Sequence, residues 1–172
     1  MVIEVSPLIH IEIVVRDAQK AYEYLNRIFG AKKVEEEYAE YLSNPALKII
    51  HVQLGNVILQ FCEPLNEQIQ SLWADHLREK GPGVHNLTFN VKDVKEAAKA
   101  FKKEGIPMLA KFRLEFKSMA DEKIIRSKVP PVHMTGGEDI FGFRFELVED
   151  QFIEGKTPEG YKIKPSYDLQ RD

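Results

Sequence analysis

The sequence predicts an α+β protein made of two β-α-β-β-β modules, and three observations carry this prediction. The stretch His10-Ile-Glu-Ile-Val-Val-Arg-Asp17 returns in altered form as Asn86-Leu-Thr-Phe-Asn-Val-Lys-Asp93. Each copy is followed by an amphipathic helical pattern that ends near a glycine. Each is later followed by an apolar strand that holds one polar residue, Gln60 in the first copy and Glu146 in the second. We therefore expect one module twice, with its chemistry where the two copies face each other.

The first module is expected over about residues 6–64, and local signals give its element order. Asp17 is a good helix N-cap, and Gly30 suits the left-handed position after a helix. Gly55 and Asn56 are typical of a hairpin turn. The expected elements are a strand over 8–15, a helix over 18–29, a weak exposed strand over 34–41, a turn at 43–45, and strands over 47–54 and 57–62.

A linker is expected over residues 65–83, because this stretch holds only a short helical pattern and ends in Gly81-Pro82-Gly83. The second module follows over residues 84–150. Asp93 and Glu96 resemble a capping box at the start of its helix. All 172 residues are thus predicted to form one domain with a short tail.

The second module is longer than the first. The spacing from His10 to Asn86 equals that from Asp17 to Asp93, but Gln60 and Glu146 lie further apart. This difference indicates an insertion, which we place within residues 114–135 as a loop or an extended hairpin. Residues 151–172 form a polar tail rich in Gly, Pro and Lys, either disordered or wrapped around a partner.

Composition excludes several classes of protein. The net charge is -3 and no basic block occurs, which argues against nucleic-acid binding. No stretch approaches the roughly 18 apolar residues of a membrane span. The one cysteine, Cys62, excludes an internal disulfide and fits a reducing cytoplasm. We expect a cytoplasmic protein that binds neither nucleic acid nor membranes.

The period of the strands decides which histidine faces the site. Two histidines, His10 and His85, open equivalent strands, but His85 lies one residue out of phase. Because a slip of one residue moves a side chain to the other face of a sheet, Asn86 is the predicted counterpart of His10. His85 is expected to point away unless a β-bulge turns it inward.

The same period places His10, Gln60, Asn86 and Glu146 on one face at corresponding depths. An imidazole, a carboxylate and two amide oxygens can hold a divalent cation such as Zn, Ni, Co, Mn or Mg. We take His10, Gln60 and Glu146 as the candidate metal ligands and Asn86 as a weak fourth. Glu146, a carboxylate within an apolar strand, needs a partner and is a candidate catalytic residue together with His10.

Other polar residues on this face are candidates for substrate contacts. We assign this role to Glu12, Asn86, Thr88 and Arg144, with Arg144 as the anchor of an anionic group. The alternative for Glu12 and Arg144 is an ion pair with each other across the sheet. His133 lies in the second module before two glycines, and it is either a solvated loop residue or a further ligand. Cys62 is expected to be a buried wall residue and not a nucleophile.

Several stretches of the chain resemble the vicinal oxygen chelate superfamily of glyoxalases, bleomycin-resistance proteins and dioxygenases, and above all the methylmalonyl-CoA epimerases. The stretches occur in the expected order over most of residues 8–150. They are His10-Ile-Glu-Ile-Val-Val-Arg-Asp17, Leu54-Gly-Asn-Val-Ile-Leu-Gln-Phe-Cys-Glu-Pro64, residues 71–86 and Phe143-Arg-Phe-Glu-Leu-Val148.

The resemblance implies a curved, cup-like mixed sheet around a divalent metal, with His10, Gln60, Asn86 and Glu146 at the ligand positions. Epimerases of this type carry a His-His pair where this chain has His85-Asn86. They also carry a carboxylate base near a turn that corresponds here to residues 43–46, where Glu40 is the nearest acid.

The leading hypothesis for function is a small metalloenzyme, an epimerase, isomerase or lyase that removes a proton next to a carbonyl. The alternative is a metal-free protein that binds a small molecule in the same cup, as resistance proteins of the superfamily do. A third reading, an extradiol-type dioxygenase, requires His85 or His133 to reach the site. By analogy with relatives, we expect a homodimer.

Overall fold

The computed structural model of the chain describes residues 2–34, 47–68, 70–112, 115–117, 124–126 and 132–149. The strands are β1 (His10–Val14), β2 (Lys32–Lys33), β3 (Leu47–Leu54), β4 (Val57–Pro64), β5 (Gly83–Val91), β6 (Met108–Phe112), β7 (Glu115–Lys117), β8 (Ile124–Arg126), β9 (Val132–Thr135) and β10 (Arg144–Glu149). The helices are α1 (Ala18–Phe29), α2 (Leu72–Lys80), α3 (Val94–Lys103) and α4 (Glu138–Phe141).

Eight strands form one curved mixed sheet in the order β2-β3-β4-β1-β5-β10-β9-β6. The two halves of this order mirror each other, because β1, α1, β2, β3 and β4 correspond to β5, α3, β6, β9 and β10. The first strands of the halves pair antiparallel at the centre, and each pairs parallel with the last strand of its own half. The predicted repeat of a β-α-β-β-β unit is confirmed.

The central ladder also confirms the predicted phase. His10 pairs with Thr88, and Glu12 pairs with Asn86. A two-fold axis between β1 and β5 that exchanges His10 with Asn86 must also exchange Glu12 with Thr88, which is the register observed. His10 and Asn86 are therefore symmetry mates.

Both main helices begin where the sequence predicts. Asp17 Oδ1 accepts a hydrogen bond from the backbone N–H of Lys20 at 2.8 Å. Asp93 Oδ1 accepts two such bonds, from Lys95 at 2.8 Å and Glu96 at 3.0 Å. These bonds satisfy N–H groups that the first turn of a helix leaves without a partner.

Each helix packs its apolar stripe on the same face of the sheet. Under α1, Ala18 packs with Ile50, Val52 and Phe61, which are all buried. Under α3, the buried core consists of Val91, Val94, Ala97 and Leu147. Since neighbouring residues of a strand point to opposite faces, this core directs His51 and Glu146 to the other face.

The linker region contributes structure of its own. Helix α2 begins after Ser71, whose Oγ accepts a hydrogen bond from the N–H of Ala74 at 3.1 Å. This helix contacts β1, β4 and β5. Strand β4 continues to Pro64, two residues beyond its predicted end.

Some predictions fall on residues that the structure does not describe. The strand expected over 34–41, the turn at 43–45 and the tail at 151–172 lie wholly or almost wholly outside the described residues. The insertion at 114–135 contains the short antiparallel pair β7–β8 in its described part. No described helix has the length and apolarity needed to cross a bilayer.

The core under α3 makes a direct prediction for stability. Leu147 is 1% exposed between α3 and the sheet. Replacing Leu147 with Ala should lower the free energy of unfolding by about 2–5 kcal/mol, because the apolar contacts are lost and a cavity remains. Leu109, which is 45% exposed, is the control, and Leu109→Ala should change it by less than about 1 kcal/mol. Urea denaturation measures both, and equal effects would contradict the described core.

Candidate functional site

Five neighbouring strands each place one buried polar side chain on the face of the sheet opposite α1 and α3. We call this set the polar row. Across the sheet from β3 to β10, it consists of His51, Gln60, His10, Thr88 and Glu146. All five are less than a tenth exposed. The sequence analysis predicted four of these residues for this face and missed His51.

Thr88 is the centre of one half of the row. Its Oγ1 lies 2.8 Å from His10 Nε2, 2.9 Å from Glu146 Oε2 and 3.0 Å from Asn86 Oδ1. The direct distance from His10 Nε2 to Glu146 Oε2 is 3.8 Å. A hydroxyl has one proton, so it can donate to the carboxylate or to the amide oxygen but not to both. The imidazole and the carboxylate are thus held close together by a shared hydroxyl.

The other half of the row joins Gln60 to His51. Gln60 Nε2 and His51 Nε2 are 2.8 Å apart, and the rings of His51 and His10 meet edge to face with centroids 5.7 Å apart. Gln60 Oε1 and His10 Nδ1 are buried without a hydrogen-bond partner in the described part of the chain. Buried polar atoms are normally paired, so these two atoms mark a place for a ligand group.

The sequence contained a signal for His51 that we did not use. A two-residue turn at Gly55 and Asn56 makes Leu54 pair with Val57. Counting back along both strands from that turn places His51 opposite Gln60, as observed. The sequence analysis predicted this hairpin but did not derive which residues of its two strands pair with each other.

A β-bulge turns His85 inward. Glu12 pairs with Asn86 but Ile13 pairs with Val84, so His85 is the extra residue on β5. Its side chain is fully buried, and its Nδ1 lies 2.6 Å from Glu12 Oε1. We predicted that His85 would face inward only if a β-bulge turned it, and this bulge is present. His85 contacts Glu12, while Thr88 and Asn86 separate it from Glu146.

Glu12 is a buried carboxylate with three donors on one oxygen. Trp73 Nε1, His85 Nδ1 and Asn86 Nδ2 lie 2.7, 2.6 and 2.8 Å from Glu12 Oε1. Burial by itself would raise the pKa of Glu12, but the hydrogen bonds from His85 and Trp73 and the nearby imidazoles of His85 and His10 hold it below its usual value. Glu12 is therefore an ionised structural centre that joins α2 to both halves of the sheet.

Arg144 was predicted to anchor a substrate and has other partners in the structure. Its Nη1 donates to His85 Nε2 at 2.6 Å, and its Nη2 donates to Glu138 Oε2 at 2.6 Å. Because Nε2 of His85 accepts from Arg144, Nδ1 carries the proton donated to Glu12. The alternative of a direct ion pair between Glu12 and Arg144 is also not what occurs, since His85 lies between them.

Asn86 connects this charge network to the polar row. Its Nδ2 donates to Glu12, and its Oδ1 accepts from Thr88. Both ends of the amide have a partner within hydrogen-bond distance, although Asn86 Oδ1 shares the single Thr88 proton with Glu146 Oε2. Its predicted role as a weak metal ligand would require the bond to Thr88 to break.

Two other candidate residues take no part in the polar row: His133 lies away from it, and the thiol of Cys62 is unreactive. His133 pairs with Leu147, which belongs to the core under α3, and its Nδ1 donates to the carbonyl of Val94 at 3.3 Å. His133 therefore lies on the other face of the sheet and does not complete the site. Cys62 is buried, and burial raises the pKa of its thiol well above the usual value. This agrees with a wall residue that is not a nucleophile.

The fit to a metal rests on three side chains. No three His, Cys, Asp or Glu side chains converge on one point in the ranges that the structure describes. The row does offer His10 Nε2, Glu146 Oε2 and the unpaired Gln60 Oε1. One nitrogen and two oxygens suit a hard or borderline divalent ion such as Mn or Mg better than Zn.

Comparison with known proteins gives a consistent result. A family model described as glyoxalase/bleomycin resistance protein/dioxygenase superfamily matches residues 9–120. A search of curated proteins finds no significant match. Among solved structures, the methylmalonyl-CoA epimerase of Mycobacterium tuberculosis is similar, with 23% identity and a TM-score of 0.58, over 83% of this chain and 86% of that one.

Two further structures are similar. A Streptomyces coelicolor methylmalonyl-CoA epimerase in complex with 2-nitronate-propionyl-CoA has 20% identity and a TM-score of 0.61, over 85% of this chain and 98% of that one. A hypothetical protein from Bacillus halodurans has 21% identity and a TM-score of 0.61, over 86% and 95%. At these identities the structures show a common fold, the predicted cup-like arrangement.

The charge network predicts how stability depends on pH. Burial and the positive charges of Lys80 and Arg144 lower the pKa of His76 to about 4 from 6.5. Between these two pH values the unfolded chain binds one more proton than the folded chain, so this residue makes stability fall as the pH drops from 6.5 to 4. His76→Gln should remove this loss. Urea denaturation across that range measures it, and equal slopes for both proteins would contradict the prediction.

Proposed function

The chain belongs to the glyoxalase/bleomycin resistance protein/dioxygenase superfamily, and on this premise we propose that it is an enzyme of the glyoxalase/epimerase type. The reaction proposed is removal of a proton next to a carbonyl of a small molecule, followed by its return. One observation carries the proposal. Glu146, His10 and Thr88 form a buried hydrogen-bonded cluster on the sheet face opposite α1 and α3.

Glu146 is the proposed base. Thr88 holds its Oε2 at 2.9 Å, which fixes the carboxylate while Oε1 takes the proton. The carboxylate is mostly buried, so water competes little with a substrate for it. His10 Nε2 lies 3.8 Å from Glu146 Oε2 and contacts the same Thr88 hydroxyl, so the imidazole and the carboxylate act on one small volume.

His51 is the proposed second proton-transfer group. It lies on β3, on the other side of His10 from Glu146. Inversion at a carbon requires a proton to leave from one side and to arrive from the other. A carboxylate and an imidazole on the two flanks of His10 meet this requirement, and the contact with Gln60 orients the imidazole.

Metal binding is part of the proposal. His10, Gln60 and Glu146 are the residues that would hold a divalent ion, and the unpaired buried Gln60 Oε1 supports this assignment. Such an ion, when bound, supplies a Lewis acid that polarises the substrate carbonyl. A homodimer and a cytoplasmic location remain predictions from the sequence.

Acyl-CoA thioesters are the first substrates to test. The similar epimerases have been solved with methylmalonyl-CoA and with 2-nitronate-propionyl-CoA. The proton next to a thioester carbonyl is of the kind that a carboxylate and an imidazole can move.

Exchange of that proton in heavy water tests the function. We expect the protein, supplied with Mn or Mg, to exchange the proton next to the carbonyl of methylmalonyl-CoA or a related thioester for deuterium. Glu146→Gln should slow exchange by about a hundredfold or more, because the base is lost. Mass spectrometry follows exchange, and chiral analysis follows inversion in the same samples.

Two further variants sharpen this experiment. Glu23→Gln changes an exposed carboxylate on α1 and should leave the rate unchanged. His51→Asn should slow inversion more than exchange, because Glu146 can still remove and return the proton on its own side. The enzymatic proposal is wrong if a broad set of thioesters and 2-oxo acids gives no exchange with any of the ions Zn, Ni, Co, Mn and Mg.

A second candidate function is binding of a small molecule without a metal or catalysis. The observation that favours it is the bonding of Asn86, whose amide is occupied at both ends by Glu12 and Thr88. The polar row would then hydrogen-bond the polar group of a ligand.

The variant Asn86→His distinguishes the metal-dependent enzyme from the metal-free binding protein. In a metal enzyme, an imidazole at this position adds a strong ligand and should tighten Mn or Zn binding by about tenfold or more. In a metal-free binding protein, the variant should gain no metal affinity. Metal content after dialysis and the shift of the melting temperature with added metal are the measurements, with Asn26→His on exposed α1 as the control.

A further inference from the structure

A groove lies between α3 and β6, on the sheet face opposite the polar row. Its volume is about 640 Å³, within the usual range for small-molecule sites. We call it the α3 groove. The lining residues that matter here are Lys95, Lys102, Ile106, Met108, Lys111 and His133. His133 places the groove on the face of α3, because its ring lies beneath the first turn of that helix.

The two ends of the α3 groove differ in chemistry. Lys111 pairs with His133 in the β6–β9 ladder, and His133 donates to the carbonyl of Val94, the residue before Lys95. Lys95, Lys111 and His133 therefore cluster at the end where α3 begins. Ile106 and Met108 line the other end, next to Lys102 in the last turn of α3.

The positive charge of the groove is only partly neutralised, by Asp93 near Lys95 and Lys99 and by Glu96. Lys99 forms an ion pair with Glu96 at 2.5 Å. In the described ranges, the ammonium groups of Lys95, Lys102 and Lys111 have no carboxylate within ion-pair distance. The chain as a whole is acidic, with a net charge of -3, so this excess of positive charge is local.

The repeat shows that the fold does not require these lysines. The positions of α1 equivalent to Lys95, Lys99 and Lys102 hold Gln19, Glu23 and Asn26. Helix α1 packs on its half of the sheet without them. The lysines are thus a property of the second half alone.

We propose that the α3 groove binds a small phosphate ester that has an apolar part. Lys95 and Lys111 contact the phosphate, and Ile106 and Met108 contact the rest of the ligand. Ammonium groups bind phosphate as point charges. A groove of this size excludes a nucleic-acid duplex, and its position on the opposite face makes it independent of the site around Glu146.

The protonation of the His133 ring should show whether a ligand occupies the α3 groove. Burial and the charge of Lys111 lower its pKa, while the carbonyl of Val94 and the charge of Glu149 act in the opposite direction. These are the groups that face the ring from β6, α3 and β10. A bound phosphate adds a negative charge beside the ring, so binding should favour its protonated form.

Titration with phenyl phosphate, inorganic phosphate and phenol tests the proposal. We expect phenyl phosphate to bind most tightly, inorganic phosphate more weakly and phenol not measurably. Lys95→Ala/Lys111→Ala should weaken phenyl phosphate binding by about tenfold or more. Lys20→Ala/Lys32→Ala, a control with two exposed lysines in the first half, should bind as the unchanged protein does.

Two outcomes would overturn the proposal. One is equal affinity of the two double variants, which would mean diffuse attraction to surface lysines. The other is weaker binding in Glu146→Gln but not in Lys95→Ala/Lys111→Ala, which would place the phosphate ester in the cup. The NMR signal of the His133 ring should move toward the protonated form on binding, and His133→Gln should remove that signal.

Discussion

The hydrogen bonds to Glu12 hold the candidate site together. This buried carboxylate lies on the central strand β1 and receives donors from α2 and from β5, and thus joins the two halves of the sheet to the helix between them. A buried charge is tolerated only when it is paired and hydrogen-bonded. Glu12 is hydrogen-bonded by His85, and the positive charge of Arg144 lies directly beyond that imidazole, where Arg144 also contacts Glu138. The orientation of Asn86, and hence of Thr88, follows from this arrangement.

Most of the fold was predictable because it depends on signals that repeat. The caps at Asp17 and Asp93 and the spacing of the two copies are local or periodic, and the structure contains each of them. The face that carries His10, Gln60, Thr88 and Glu146 followed from the two-residue period of strands. Sequence alone could also have placed His51, because a two-residue turn leaves one register for its hairpin.

The partners of His85, Arg144 and His133 could not be predicted in the same way. His85 faces inward because one residue is added to β5 opposite β1, and neither periodicity nor propensity reports such a bulge. Arg144 was expected to be free for a substrate, but Glu138 of α4 and His85 meet it in space. His133 belongs to β9, the counterpart of β3, but the insertion before β9 changes the spacing between the two copies, so its phase could not be read from the repeat.

The bulge at His85 lets two neighbouring side chains of β5 contact the same carboxylate, because His85 and Asn86 both bond to Glu12 and Asn86 also reaches Thr88. The loss of a single codon at this point would remove one of these two side chains, and with it one partner of Glu12. The histidine content of the cup is therefore one small genetic step from change, while the strands and helices around it stay in place.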